Sequence, residues 1–131
     1  MQALKLSSKK RTEFIDITDE LQAAVTSQNI KSGILFLYVP HTTAGLTVNE
    51  NADPDVLTDI TGKMNSMVPK DPGYAHSEGN SDAHVKSSLF GNELFVFIED
   101  AKLRLGTWQG IYFAEFDGPR SREVWFKAVK D

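Results

Sequence analysis

The chain has 131 residues, a formal net charge of −4 and an apolar fraction of 40%. That length matches one domain with one core, and no run approaches the roughly 20 apolar residues a membrane-spanning helix needs. There is no cysteine, which excludes disulfides, thiolate ligands and cysteine nucleophiles, so any transition-metal site must use histidine nitrogen and carboxylate oxygen.

Basic residues are dispersed, apart from Lys9, Lys10 and Arg11 and the pair Arg120 and Arg122. A duplex-binding protein would present a broad basic face, so nucleic acid is not an expected partner, and neither is a membrane. Residues 1–10 alternate apolar and polar without an apolar signal core, so the expected location is the cytoplasm.

Residues 2–17 read as two strands, with Leu4 and Leu6 alternating against Lys5 and Ser7, then Phe14, Ile15 and Ile17 after a turn. Thr18 can cap a first helix whose face is Leu21, Ala24 and Val25, ending at Asn29. Gly33 opens an apolar run to Val39, as expected of a strand in the middle of a sheet. A short strand follows at 46–49. Asp53, Pro54 and Asp55 form a strong helix start, a capping carboxylate followed by proline at the first helical position. Val56, Leu57, Ile60, Met64 and Met67 follow at helical spacing. Asn80 or Ser81 can cap a third helix that Gly91 stops, with Val85 and Leu89 as its core anchors. The remaining segments, 93–99, 103–105, 111–117 and 122–129, read as strands punctuated by Gly106, Gly110 and Gly118. The expected class is α+β, a mixed or antiparallel sheet with about three helices in a single domain.

Four constellations can carry chemistry. Pro40-His41-Thr42-Thr43-Ala44-Gly45 places a histidine and two hydroxyls at the end of the apolar strand, where the hydroxyls can donate to an anion. His76-Ser77-Glu78-Gly79-Asn80-Ser81-Asp82-Ala83-His84 crowds two histidines and two carboxylates into nine residues, a density suited to zinc-type sites. On the helix, Asn80, His84 and Ser88 recur every fourth position and share one side. In Asn49-Glu50-Asn51-Ala52-Asp53 the cap explains Asp53, while Glu50 and Asn51 are free to orient a substrate or a ligand histidine, or simply to form a polar turn. In Leu105-Gly106-Thr107-Trp108-Gln109-Gly110 the flanking glycines allow close backbone approach, with Gln109 available to a substrate, but the ending of a P-loop is missing. Glu115 shares a strand face with Phe113 and needs a partner, with Arg120 or Arg122 as candidates. Arg120 is the better phosphate candidate, since guanidinium forks match phosphate oxygens.

These motifs, with Glu115-Phe116-Asp117-Gly118-Pro119-Arg120, resemble the YjbQ-like family, also called the secondary thiamine-phosphate synthase family. The resemblance runs along essentially the whole chain. It implies a compact α+β subunit assembled as a homotrimer, with a site around the motif histidines able to hold a divalent metal. The family name implies coupling of a hydroxymethylpyrimidine diphosphate to a thiazole phosphate with release of pyrophosphate, and "secondary" marks this as a side activity of a protein with another main task.

The expectation that follows is one divalent metal on His41, His76 and His84, with one position open. Zinc suits these donors better than magnesium, which prefers oxygen. Arg120 would neutralise the leaving diphosphate and Glu78 or Glu50 would assist proton transfer, with Thr42, Thr43, Asn51, Asn80, Ser88 and Gln109 around a small phosphorylated metabolite. The same set suits metal-assisted hydrolysis or a non-catalytic trimer that binds a metal or a phosphometabolite. In 93–99, Leu94, Val96 and Ile98 point one way and Phe95 and Phe97 the other; a strand apolar on both faces needs cover on both, which a neighbouring subunit can supply.

Overall fold

A computed structural model describes residues 1–131. Eight strands and three helices follow in the order β1 (Gln2–Ser7), β2 (Glu13–Asp16), α1 (Thr18–Ser27), β3 (Gly33–Tyr38), β4 (Ala44–Glu50), α2 (Pro54–Met67), α3 (Ser81–Phe90), β5 (Glu93–Glu99), β6 (Lys102–Leu103), β7 (Gln109–Glu115) and β8 (Ser121–Lys130). The strands make two sheets, a five-stranded one ordered β1-β8-β3-β5-β6 and a three-stranded one ordered β2-β7-β4. Every pairing is antiparallel. The α+β class is therefore observed, with two sheets in place of one.

The core lies between the sheets and under α1. Leu35, Leu37, Val96, Ile98 and Val124 from the larger sheet meet Leu46, Ile111 and Phe113 from the smaller one, and α1 adds Leu21 and Val25. Strand alternation explains the partition, because every second residue of β3 and β5 faces inward. The opposite face of these two strands is uncovered: Phe36, Phe95 and Phe97 are about half exposed. Gly33 starts β3 at φ 153°, where a Cβ would come within 2.1 Å of the Val129 carbonyl oxygen on β8. Only glycine lets those two strands approach there.

Local signals set the helix bounds well. The Asp53 carboxylate accepts the Asp55 N–H at 2.9 Å, with Pro54 at the first helical position. At α1 the cap is supplied by Asp16, whose Oδ1 accepts from the Thr18 N–H and hydroxyl; Thr18 itself is the first helical residue.

α3 corrects the sequence reading. Val85 and Leu89, expected to anchor the core, are exposed, and the buried residues are Asp82, Ala83, Lys86 and Ser87. A charged inner face is tolerable because its charges are paired. The Asp82 carboxylate takes both arms of the Arg11 guanidinium at 3.0 and 2.9 Å and the Lys86 ammonium at 3.2 Å. Lys86 also donates to Asn65 Oδ1 on α2 at 2.8 Å. No helix is long and apolar enough to cross a membrane.

Candidate functional site

The site grows from the segment joining β3 to β4. Val39 closes β3 by donating its N–H to the Asn92 carbonyl at 2.7 Å, which leaves His41, Thr42 and Thr43 beyond the strand end. Two residues of β8 hold this segment. The backbone N–H of Glu123 donates to His41 Nε2 at 3.0 Å, and Arg122 donates to the Thr43 hydroxyl at 2.8 Å. Arg122 is fixed in turn by Glu115 on β7. Its Nε reaches Oε1 at 2.8 Å and its terminal nitrogen reaches Oε2 at 2.5 Å, while Ser8 donates to Oε1 at 2.6 Å. Glu115 is fully buried, and burial alone would raise its pKa. The hydrogen bonds from Arg122 and Ser8 outweigh that and hold it below the usual carboxylate range. Of the two partners the sequence offered for Glu115, the structure selects Arg122. Burial, with the nearby Arg122 charge, pushes the His41 imidazole down from its ordinary value, so it is neutral near pH 7.

α3 supplies the facing wall. Gly45 on β4 lies against its end: a Cβ there would fall 2.6 Å from the Gly91 carbonyl oxygen and 3.2 Å from the Phe90 Cβ. The absent side chain lets helix and strand touch, and Ser87 locks the contact by donating to the Ala44 carbonyl at 2.7 Å. Between the two walls is a cavity of about 370 Å³ lined by His41, Thr42, His84, Ser88, Gly91 and Asn92 together with Ser87, with no hydrophobic residue. His76, from the loop before α3, meets His84 edge to face with ring centroids 5.4 Å apart. Glu78 stands 3.8 Å from His76 Nε2 and is largely exposed.

The three histidines therefore form a chain of neighbours: His41 and His84 share the cavity, and His84 touches His76. No group of three or more His, Asp or Glu side chains is arranged to hold a metal ion. A single coordination sphere of His41, His76 and His84 is not formed within one chain, and the Nε2 of His41 is already taken by Glu123. Two neighbouring imidazoles fall short of the three protein ligands of a catalytic zinc site.

Other sequence candidates lie around or away from the cavity. Asn80 is the N-cap residue of α3, but its side chain makes no capping bond; its amide donates to Asp117 Oδ2 at 2.9 Å, and its buried Oδ1 has no partner. Arg120 is braced on the same Asp117 oxygen at 3.0 Å and is half exposed. Thr43 is buried and serves Arg122. Glu50, Asn51 and Gln109 are at the other end of the smaller sheet. Ala44 pairs with Glu115 and Glu50 with Gln109, so six residue steps, about 20 Å, separate that end from the cavity. There the Glu50 carboxylate accepts the Asp53 N–H, Asn51 donates its N–H to the Trp108 carbonyl, and the Gln109 side chain accepts the Gly106 N–H. These residues shape turns. Ser87, Gly91, Asn92 and Arg122 were missed as site residues. Gly91 stood in the sequence only as a helix stop, and nothing local signals that the stop and Asn92 after it face His41.

The family model for UPF0047 protein YjbQ-like matches residues 2–131, and the chain belongs to that family. It is 51% identical over 127 residues to a UPF0047 protein of Methanocaldococcus jannaschii, covering 97% of this chain and 92% of the relative. It is 48% identical to the UPF0047 protein YugU of Bacillus subtilis, covering 98% of each. Among solved structures, an uncharacterized YjbQ/UPF0047 protein of Clostridium acetobutylicum superposes with a TM-score of 0.96 at 48% identity, covering 98% of this chain and 100% of that one. A YbjQ-like protein of unknown function from Sulfolobus solfataricus gives 0.94 at 29% identity, covering 99% and 96%.

Proposed function

We propose that the cavity between the β3–β4 segment and α3 binds the phosphate end of a small phosphorylated metabolite in the cytoplasm, and that the protein acts on it as a thiamine-phosphate-synthase-type transferase. One observation carries the reading: the cavity is lined by two imidazoles, three hydroxyl side chains and an amide, with no hydrophobic residue. That donor set suits an oxyanion and would waste the burial of an apolar ligand. Thr42 and Asn92 orient the phosphate, His84 and His41 donate to it, and Arg120, half exposed beside Asp117, is the guanidinium offered to a second phosphate. Glu78, beside His76, is the carboxylate that moves a proton in this reading. The apolar face of Phe36, Phe95 and Phe97 is covered in this reading by further copies of the chain, giving the homotrimer the resemblance implies.

The test is turnover. Protein incubated with hydroxymethylpyrimidine diphosphate and thiazole phosphate should release pyrophosphate and form thiamine phosphate, and His84→Ala should lower the rate at least about tenfold, as losing a hydrogen bond to a charged group does. Absence of turnover in protein that still binds pyrophosphate would remove the synthase reading and leave hydrolysis or binding alone.

A second reading keeps the metal. His76 and His84 lie close enough to begin a site, which needs a further donor from a second copy or from the ligand's phosphate before zinc is held firmly. Stoichiometric zinc in purified protein, lost in His76→Ala, supports it; metal-free protein that binds pyrophosphate unchanged removes it.

A further inference from the structure

We propose that His41 works in this cavity as a neutral hydrogen-bond donor through Nδ1–H, and that its partner is a phosphate oxygen of the ligand, not a metal ion. The inference rests on the phosphate reading of the cavity and assigns His41 a role different from the one the family resemblance implies.

The tautomer follows from the backbone of β8. Nε2 accepts the Glu123 N–H at 3.0 Å, and a ring nitrogen that accepts carries no proton. The neutral ring then has its proton on Nδ1. That nitrogen has no acceptor in the chain and is not among the buried polar atoms left without a partner, so solvent reaches it, on a ring that lines the cavity. A metal on Nε2 would have to displace the Glu123 N–H and leave a backbone donor unpaired, at a cost of about 1–3 kcal/mol. A metal on Nδ1 would have to remove the ring's one proton. A doubly protonated ring would turn an N–H against the Glu123 N–H. The geometry leaves the neutral donor.

The donor is also fixed in place. Thr43, two residues on, is gripped by Arg122 through both its hydroxyl and its carbonyl, at 2.8 and 3.4 Å. Arg122 is itself held by the buried Glu115. β8 thus holds the histidine from one side and its loop from the other, so little reorganisation is needed when an anion enters. Burial and, after it, the Arg122 charge favour the uncharged ring, against the opposing effect of Glu123 and Glu115.

The experiment is a long-range proton–nitrogen NMR correlation of the histidine rings in ¹⁵N-labelled full-length protein at pH 7.5, alone, with inorganic pyrophosphate, and with zinc. The expected result is a His41 ring protonated at Nδ1 and bare at Nε2, whose Nδ1–H resonance moves with pyrophosphate. A ring protonated at Nε2, or a His41 nitrogen that moves with zinc and not with pyrophosphate, overturns the proposal. If pyrophosphate moves His84 and Asn92 but leaves His41 still, the cavity reading stands and the His41 role falls. If it moves none of them, both fall. A pair of substitutions gives an independent measure. Asparagine carries its amide nitrogen as many bonds from Cβ as Nδ1 is, whereas glutamine places it near Nε2. His41→Asn should keep pyrophosphate affinity within about threefold, and His41→Gln should lose about tenfold or more, the worth of a hydrogen bond to a charged group. Equal losses in the two variants contradict the assignment.

Discussion

At the scale of single residues, the site depends on a carboxylate that never meets water. Glu115 is fully buried and receives Arg122, Ser8 and the Asp117 N–H. Removing its main partner strands the charge. Arg122→Met should destabilise the protein by about 3–5 kcal/mol in urea unfolding. The double variant Glu115→Leu, Arg122→Met should recover part of that loss, because two buried charges disappear together. Recovery of nothing would mean that the pair is not the source of the cost. The need for a partner was legible: alternation put Glu115 on the face of Phe113. Which arginine serves was not, because Arg122 belongs to the other sheet and its arrival is decided by how the sheets pack. The histidines are similar. Each was visible as a candidate, but the Glu123 N–H that occupies His41 comes from backbone 82 residues away, beyond the reach of any local pattern.

At the scale of elements, α3 is the moving part of the argument, since it carries His84. Two contacts set its position. The first is Gly45. Gly45→Ala forces the helix end back from a 2.6 Å clash with the Gly91 carbonyl and should weaken pyrophosphate binding at least several-fold while α3 stays helical by circular dichroism. Unchanged affinity would mean that the cavity tolerates a displaced α3. The second is Asp82, which ties α3 to Arg11. Arg11 and Lys86 hold this carboxyl at a pKa of about 2, below the usual 3.8, against the opposing effect of burial. A lowered folded-state pKa adds stability that is complete above pH 4 and is lost as pH falls through about 2. Asp82→Asn should therefore cost on the order of 2 kcal/mol or more at pH 7, and its gap from the wild type should close toward pH 2 in pH-dependent unfolding. A gap independent of pH would assign the loss to packing. Elements with local punctuation were legible from sequence, as α2 shows through Asp53 and Pro54. The inner face of α3 was not: Val85 and Leu89 read as its core anchors, whereas Asp82 and Lys86 are buried with Arg11, 71 residues from Asp82, completing their pairing.

At the scale of the whole molecule, the apolar side of the larger sheet is unmatched by any element of the chain. Phe36 and Phe95 are in ring contact across β3 and β5, and Phe95 meets Phe97, yet all three are about half exposed. This is the face that the proposed homotrimer would cover. Sedimentation should find a trimer, and Phe95→Glu with Phe97→Glu should shift it to monomer; a wild-type monomer would refute this assignment. The run of antiparallel strands was legible from turn residues and alternation, and the two-faced strand pointed to this surface. The division into two sheets was not, because β4 and β7 pair with each other and neither joins β3 or β8. The length of the β4–β7 pairing separates the motifs, leaving Glu50, Asn51 and Gln109 at one end of the smaller sheet and the His41 segment at the other. Whether a phosphate pocket lies between His41 and His84 is decided by calorimetric titration of the wild-type protein and His84→Ala with inorganic pyrophosphate in metal-free buffer. Saturable binding to the wild type and an affinity at least about tenfold weaker in the variant are expected; equal affinity in the two, or no binding by the wild type, rules the pocket out.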